Sequence, residues 1–130
     1  MLSRIDFRIQ YVFMTDMFTD EIQEARRSEK NYFLYNSDLS DVLSHFRKAT
    51  NLLNQTSIEL GHVVGREEIN NIHQYVTKYQ ELIEELIRKD NEPGFKSSER
   101  FSEISIALRD YGSKIIEIAF DISKKEHALI

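Results

Sequence analysis

Three cations and one acid stand close together in segment 25–34 of this chain. Arg26 and Lys30 are four residues apart, so they share a face of any helix, and Arg27 lies beside them. Guanidinium groups suit carboxylates and phosphates, so these side chains could hold an anionic ligand. We expect instead that they form ion pairs with a third helix, because charges on packed helices need partners. The acids expected to pair with them are Glu81, Glu84 and Glu85.

Glu29 falls on the apolar stripe of the same segment, between Ala25 and Tyr32. A buried charge is costly unless it is paired. We therefore expect Glu29 to belong to a polar core layer that fixes the register of the helices, as polar core positions do in coiled coils. The expected partners of Glu29 in this layer are Arg26, His45 or Arg47.

Two further residues complete the candidate ligand-binding set. Arg109 lies next to the core stripe of the last helical segment, where we expect a solvated or paired arginine and keep a ligand site at a dimer interface as the alternative. Tyr32 belongs to a group of aromatic residues that fill the core or line a pocket between helices. The candidate ligand-binding residues are Arg26, Arg27, Lys30, Tyr32 and Arg109.

The sequence does not indicate a metal site, a cofactor or a reaction centre. A helical di-metal site requires two Glu-x-x-His copies, and the four scattered histidines do not provide them. His62, close to Glu67 and Glu68, is the one histidine near a cluster of acids. No Gly-rich phosphate loop and no nucleophile elbow occurs in the sequence. We therefore expect that this domain is not an enzyme.

Composition narrows the function classes further. The 130 residues are 41% hydrophobic and 30% charged, which is typical of a globular domain. A net charge of −5 argues against nucleic-acid binding, which needs a basic surface. The absence of cysteine excludes disulfides and thiolate metal sites. The sequence also lacks an apolar run of about 18 residues, the length that a membrane-spanning helix needs.

Apolar residues recur at spacings of three and four in four segments, which predicts four helices. The predicted core stripe of the first helix is Leu2, Ile5, Ile9, Val12, Phe13, Phe18, Ile22, Ala25, Tyr32 and Phe33. The stripe of the second is Leu39, Val42, Leu43, Phe46, Ala49, Leu53 and Leu60, and that of the third is Ile69, Ile72, Val76, Tyr79, Leu82 or Ile83, and Leu86. The stripe of the fourth is close to a heptad, Phe101, Ile104, Leu108, Tyr111, Ile115, Ile118, Ile122 and Leu129, and Lys125 interrupts it near the end.

The predicted breaks are Asn36–Asp38, a second turn bracketed by Gly61 and Gly65, and Asp90–Gly94. We therefore predict an all-α fold for residues 1–130 as a single domain: an antiparallel up-down-up-down four-helix bundle with longer first and last helices. The terminal helices would measure roughly 50 Å and the central ones roughly 37 Å. Both long helices then extend past the middle turn, as expected for a fragment of a longer membrane receptor.

The string ARRSEKNYFLYNSDLSDVL resembles the first-helix signature of extracytoplasmic sensor domains in bacterial transmembrane receptors. These helical-bundle sensors include the helical bimodular type, and they occur in sensor histidine kinases and methyl-accepting chemotaxis proteins. Leu108-Arg109, after Pro93-Gly94, is similar to a pair in the last helix of that family. The residues that match the first-helix signature are Ala25, Arg26, Arg27, Glu29, Lys30, Phe33 and Leu34.

The resemblance implies a signal-sensing role in the periplasmic part of an inner-membrane receptor, with a sensor histidine kinase favoured. Such a domain binds a small anionic or polar ligand or a periplasmic binding protein, and is anchored in the membrane only through segments outside this chain. We expect a homodimer with helix 1 at its interface and a signal carried by a helix displacement of about 1–2 Å. The alternatives are a chemotaxis receptor and a structural or adaptor bundle that binds a protein partner.

Overall fold

The computed structural model describes the backbone of residues 4–128 and the side chains of residues 8–128. These residues form four α-helices and one short 3₁₀ helix, and they contain no strand, so the predicted all-α fold with four helices is confirmed. The helices have 32, 25, 24 and 30 residues. Their bounds are α1 Arg4–Tyr35, α2 Ser40–Val64, α3 Arg66–Lys89 and α4 Glu99–Ala128, with the 3₁₀ helix at Phe95–Ser97.

The four helices form a bundle in which α1 packs beside α2 and α4, and α3 also packs beside α2 and α4. This packing places α1 and α3 at diagonally opposite corners. One cluster of buried apolar side chains fills the interior and draws on all four helices. Among the described residues, no helix is both long and apolar enough to cross a bilayer.

The apolar stripe predicted for α1 is wrong near the start of the helix. Ile9 and Phe13 are 48% and 65% exposed, whereas Thr15 and Thr19 are buried. Each threonine hydroxyl donates to the backbone carbonyl four residues earlier, at 2.9 Å and 3.1 Å, so its burial leaves no unsatisfied donor. Leu2, Ile5 and Leu129, which the sequence also assigned to core stripes, lie outside the described side chains.

The stripe of α4 is also shifted from the predicted heptad at three positions. Ile104, Leu108, Ile115 and Ile122 are buried as predicted. Tyr111 and Ile118 are only half-buried, and the next residue in each case, Gly112 and Ala119, is the buried one. Lys125 was expected to interrupt the stripe, and the inward position there belongs to Glu126.

The turns follow the predicted breaks with one exception. Asn36 adopts a left-handed conformation with φ 58°, and the Asp38 carboxylate accepts the backbone N–H of Ser40 at 2.8 Å. The second turn is the single residue Gly65, with φ 92°, and Gly61 lies inside α2. The expectation that both glycines bracket this turn is therefore wrong, because the Gly65 N–H still donates to the Gly61 carbonyl at 3.0 Å and continues the helical bonding.

Candidate ligand groove between α1 and α4

A groove of about 390 Å³ opens between α1 and α4. We call it the seam groove. A neighbouring groove of about 420 Å³ shares Arg26 and Lys30 with it and adds Arg27. Four of the five candidate ligand-binding residues therefore lie along one seam between two adjacent helices. The residues that line the seam groove are Arg26, Glu29, Lys30, Phe33, Leu34, Ser105 and Arg109.

Arg26 enters the seam through a gap that a glycine provides. A Cβ atom built on Gly112 of α4 would lie 2.7 Å from the Arg26 Nε atom, which is too close for any side chain to be accommodated without movement. The Nε atom is buried and has no hydrogen-bond partner among the described residues. A buried donor without a partner is costly.

Glu29 is buried at the floor of the seam groove, with 6% of its surface exposed. Its carboxylate accepts a hydrogen bond from the Tyr79 hydroxyl, which comes from α3 at the opposite corner of the bundle. The fully buried Tyr79 ring stacks on Phe46 of α2, with 4.2 Å between ring centroids and 3° between ring planes. A single hydrogen bond across the core thus connects the groove to α3 and, through the stacked rings, to α2.

Burial and the neighbouring polar groups have opposite effects on the pKa of Glu29. Burial raises the pKa of its carboxyl group, while the Tyr79 hydrogen bond and the charges of Arg26, Lys30 and Arg109 act to lower it. Burial and the Glu29 charge together raise the pKa of Tyr79 well above its usual range, so the phenol remains a donor. Three cations therefore act through space on one acid whose direct partner is a neutral hydroxyl.

The ion pairs predicted between α1 and α3 do not form among the described residues. Glu85 instead accepts two hydrogen bonds from Arg100, at 2.6 Å and 2.7 Å, and one from Lys89 at 3.0 Å. Glu81 pairs with Lys78, and Glu84 accepts from Gln80. The prediction is wrong because it assumed that α3 neighbours α1, whereas α3 occupies the diagonal corner.

The other candidates lie apart from the seam groove. Arg27 is 70% exposed and pairs with Glu24 at 3.2 Å. Tyr32 donates to Asp90 at 2.6 Å, and its pKa is raised by burial and by Asp90. It lines neither groove of the seam.

The predicted polar layer is not assembled as expected. His45 contacts Glu21 at 2.6 Å, and Arg47 is exposed on α2, so Arg47 does not belong to the buried layer. The partner that sequence reasoning missed is Tyr79. Two signals could have identified it: it lies on the inward stripe of α3, and a buried phenol needs a hydrogen-bond partner.

His62 does not gather with acids into a metal site. It lines a third groove, of about 320 Å³, together with His73 and Arg66 near the α2–α3 turn. The His73 ring nitrogen Nε2 lies 2.8 Å from the Ser57 hydroxyl. Across the described residues, no group of three or more His, Cys, Asp or Glu side chains is arranged to hold a metal ion.

The chain matches no protein-family model, no curated protein and no solved structure.

Proposed function

We propose that this chain is a signal-sensing four-helix bundle from the extracytoplasmic part of a bacterial transmembrane receptor, and that it binds a small anion in the seam groove. One observation carries the proposal. Arg26, Lys30 and Arg109 come from two different helices and line one groove whose single acid, Glu29, forms no ion pair with a described residue. This local excess of positive charge occurs in a chain with a net charge of −5. Guanidinium groups are suited to carboxylate and phosphate oxygens.

A ligand at this seam is well placed to act on a receptor. Because the groove is lined by both α1 and α4, a bound anion contacts both helices and is placed to bias their relative position. The ligand shifts their arrangement only if it binds one arrangement more tightly than the other. A displacement of about 1–2 Å is typical of such helix shifts. We propose a sensor histidine kinase as the output, with a chemotaxis receptor as the alternative.

The proposed arrangement of the helices is antiparallel, up-down-up-down. Contacts between helix ends support it: Arg8 near the start of α1 meets Glu126 near the end of α4, at 2.9 Å. Arg100 at the start of α4 meets Glu85 near the end of α3, at 2.6 Å. The free ends of α1 and α4 then lie at the same end of the bundle, which suits a periplasmic domain held between two membrane segments.

The test is a thermal-shift screen against sulfate, phosphate, dicarboxylates and amino acids. An anion present at 100 times its dissociation constant adds about 2.7 kcal/mol to the free energy of unfolding. We expect the shift to disappear in Arg26→Ala and in Arg109→Ala. The matched control is Arg47→Ala, which removes an exposed arginine of α2. An unshifted wild type across the anion panel, or a shift that survives Arg26→Ala, contradicts the proposed site.

A second candidate, a protein-binding bundle, is favoured by an exposed apolar stripe on α1. Ile9, Phe13 and Met17 are 48%, 65% and 42% exposed, and their spacing of four places them on one face. For the receptor proposed above, the occupant of this stripe is a second copy of this chain, with α1 at the interface of a homodimer; for an adaptor bundle, it is a different protein. Sedimentation equilibrium should show a dimer that Phe13→Glu weakens. Ile58→Glu, at an 83% exposed position of α2, should leave it unchanged. A monomeric wild type contradicts self-association and leaves an adaptor for another protein.

A further inference from the structure

We infer that Glu29 takes up a proton when an anion enters the seam groove, so that ligand binding is proton-coupled and its effect reaches α3 through Tyr79. The inference rests on the proposed function, because it concerns the same groove. Three cations alone would bind an anion without proton uptake, whereas Glu29 makes the binding depend on pH.

The position of Glu29 is the first step. Its carboxyl group lines the groove and is also buried, so it belongs both to the ligand site and to the core. Every ionisable group that acts on it can be assigned to a helix. Arg26 and Lys30 come from α1, Arg109 from α4 and Tyr79 from α3, whereas α2 contributes no charged group and only the Phe46 ring behind Tyr79.

The Glu29 carboxylate and an anionic ligand would compete for the same three cations. In the empty groove, the three cations compensate the buried Glu29 carboxylate through space. An anionic ligand brings a second negative charge to the same cations. Two anions that share a site cannot both remain ionised without cost, so the more buried acid binds its proton more tightly. Burial already raises the pKa of Glu29, so this group is the one that responds.

Protonation of Glu29 would affect α3 through the hydrogen bond that Tyr79 donates. An ionised carboxylate accepts a stronger hydrogen bond than a neutral carboxyl group does. When Glu29 becomes neutral, Tyr79 therefore loses a charge-assisted bond, and the contact between α1 and α3 weakens. The Glu29 O–H group, in turn, becomes a donor on the groove side. Binding of an anion between α1 and α4 thereby changes the hydrogen bond that Tyr79 of α3 makes at the opposite corner of the bundle.

The expected pH dependence has a definite sign. Proton uptake on binding means that affinity falls as pH rises, by at most about tenfold per pH unit between the pKa of Glu29 in the empty and in the occupied state. No histidine is among the residues that line the seam groove, so a slope in this range is not explained by a histidine of the site.

The test is isothermal titration calorimetry with sodium sulfate between pH 5 and pH 8, repeated in buffers of different ionisation enthalpy. Sulfate does not titrate in this range, so any proton taken up binds to the protein. We expect wild type to take up as much as one proton for each sulfate. In Glu29→Gln, binding should persist while the proton uptake and the pH dependence disappear. The matched control is Glu24→Gln, which changes a more exposed glutamate of α1 and should behave as wild type.

The outcomes separate this inference from the proposed function. Sulfate binding that is independent of pH and takes up no proton overturns the inference and leaves the anion site in place. A pH slope that persists in Glu29→Gln also overturns it. Failure of sulfate to bind overturns the inference as stated for sulfate, and failure of every anion of the thermal-shift panel overturns the proposed function as well. If the Glu29→Gln variant does not fold, the wild-type measurement in two buffers still overturns the inference when it shows no proton uptake.

Discussion

Two glutamates are buried among the residues that the structure describes, and their charges are compensated in different ways. Glu126 on α4 is completely buried, and Arg8 donates to both of its carboxylate oxygens at 2.9 Å. Glu29 on α1 is nearly as buried, but its direct partner is the Tyr79 hydroxyl. The cations near Glu29 act on it through space and point into a groove.

The difference separates a structural acid from a responsive one. The Glu126 charge is satisfied by a two-oxygen contact with Arg8, which also reaches Glu59 at 3.3 Å, so an external ion has little to add. The Glu29 charge depends on cations that remain free to bind another anion. Two glutamates that are similarly buried can therefore have different roles. The role depends on whether a cation forms a direct ion pair with the carboxylate.

The largest expected effect is at the structural acid. Arg8→Met removes the cation and leaves the buried Glu126 carboxylate unpaired. We expect the free energy of unfolding to fall by about 3 kcal/mol, measured by urea denaturation at pH 7. Arg27→Met removes a 70% exposed arginine of the same helix and should cost less than about 0.5 kcal/mol. Equal costs for the two variants would mean that the buried Arg8–Glu126 ion pair contributes no more to stability than an exposed arginine does.

A smaller effect is expected at the responsive acid. Tyr79→Phe keeps the ring that stacks on Phe46 but removes the donor to Glu29. We expect a loss of about 1–2 kcal/mol. Because the folded pKa of Glu29 is raised, its contribution to stability declines as pH rises through its unfolded and then its folded pKa. Loss of the hydrogen bond should steepen this decline, so urea denaturation should show a larger cost at pH 8 than at pH 5. A cost that is the same at both values contradicts the assignment.

An exposed ion pair provides a reference for the buried one. Arg100 holds both oxygens of Glu85 and lowers the pKa of that carboxyl group to about 2. The resulting stability is present above the unfolded pKa and is lost as pH falls from about 4.5 towards 2. We expect Arg100→Ala to cost at most about 1 kcal/mol at pH 7, since the arginine is 45% exposed. Thermal unfolding at pH 7 and pH 2 should show the difference between variant and wild type shrinking at the lower pH.

The smallest change in stability is expected at Gly112. Gly112→Ala gains about 0.5–1 kcal/mol of helix propensity but forces the Arg26 side chain to move, so the two effects oppose each other. Sulfate affinity should nevertheless fall, because Arg26 is displaced from the seam. Gly61→Ala is the matched control: it lies in a helix with nothing within 4 Å of its Cβ, so it should stabilise the protein and leave sulfate binding unchanged.

The sequence predicted the helices well and their inward faces less well. Ile22, Phe46, Ile72 and Ile115 lie on predicted stripes and are fully or almost fully buried. The errors fall where side-chain size or local hydrogen bonding overrides hydrophobicity. A threonine that bonds to its own helix can be buried in place of a larger apolar residue, and a glycine can be buried so that an arginine enters.

Candidate ligand residues could be named from their types, but their grouping could not. Arg26, Arg27 and Lys30 are close in sequence, so their shared surface is a consequence of helical periodicity. Arg109 lies far along the chain, and its place in the same groove depends on the register between α1 and α4. Tyr32 was included as one of the aromatic residues that could line a pocket, but its hydroxyl donates to Asp90 and it lines neither groove of the seam.

By itself, the sequence determined the number and approximate limits of the helices and the presence of a cationic segment with an acid on its apolar stripe. These properties depend on residues within a few turns of each other. Only the tertiary structure decided which helix stands at which corner, and hence that Glu29 meets Tyr79 rather than an arginine. The physical reason is that the partner of a buried charge is chosen by packing across the core, which involves residues 50 positions apart in the chain.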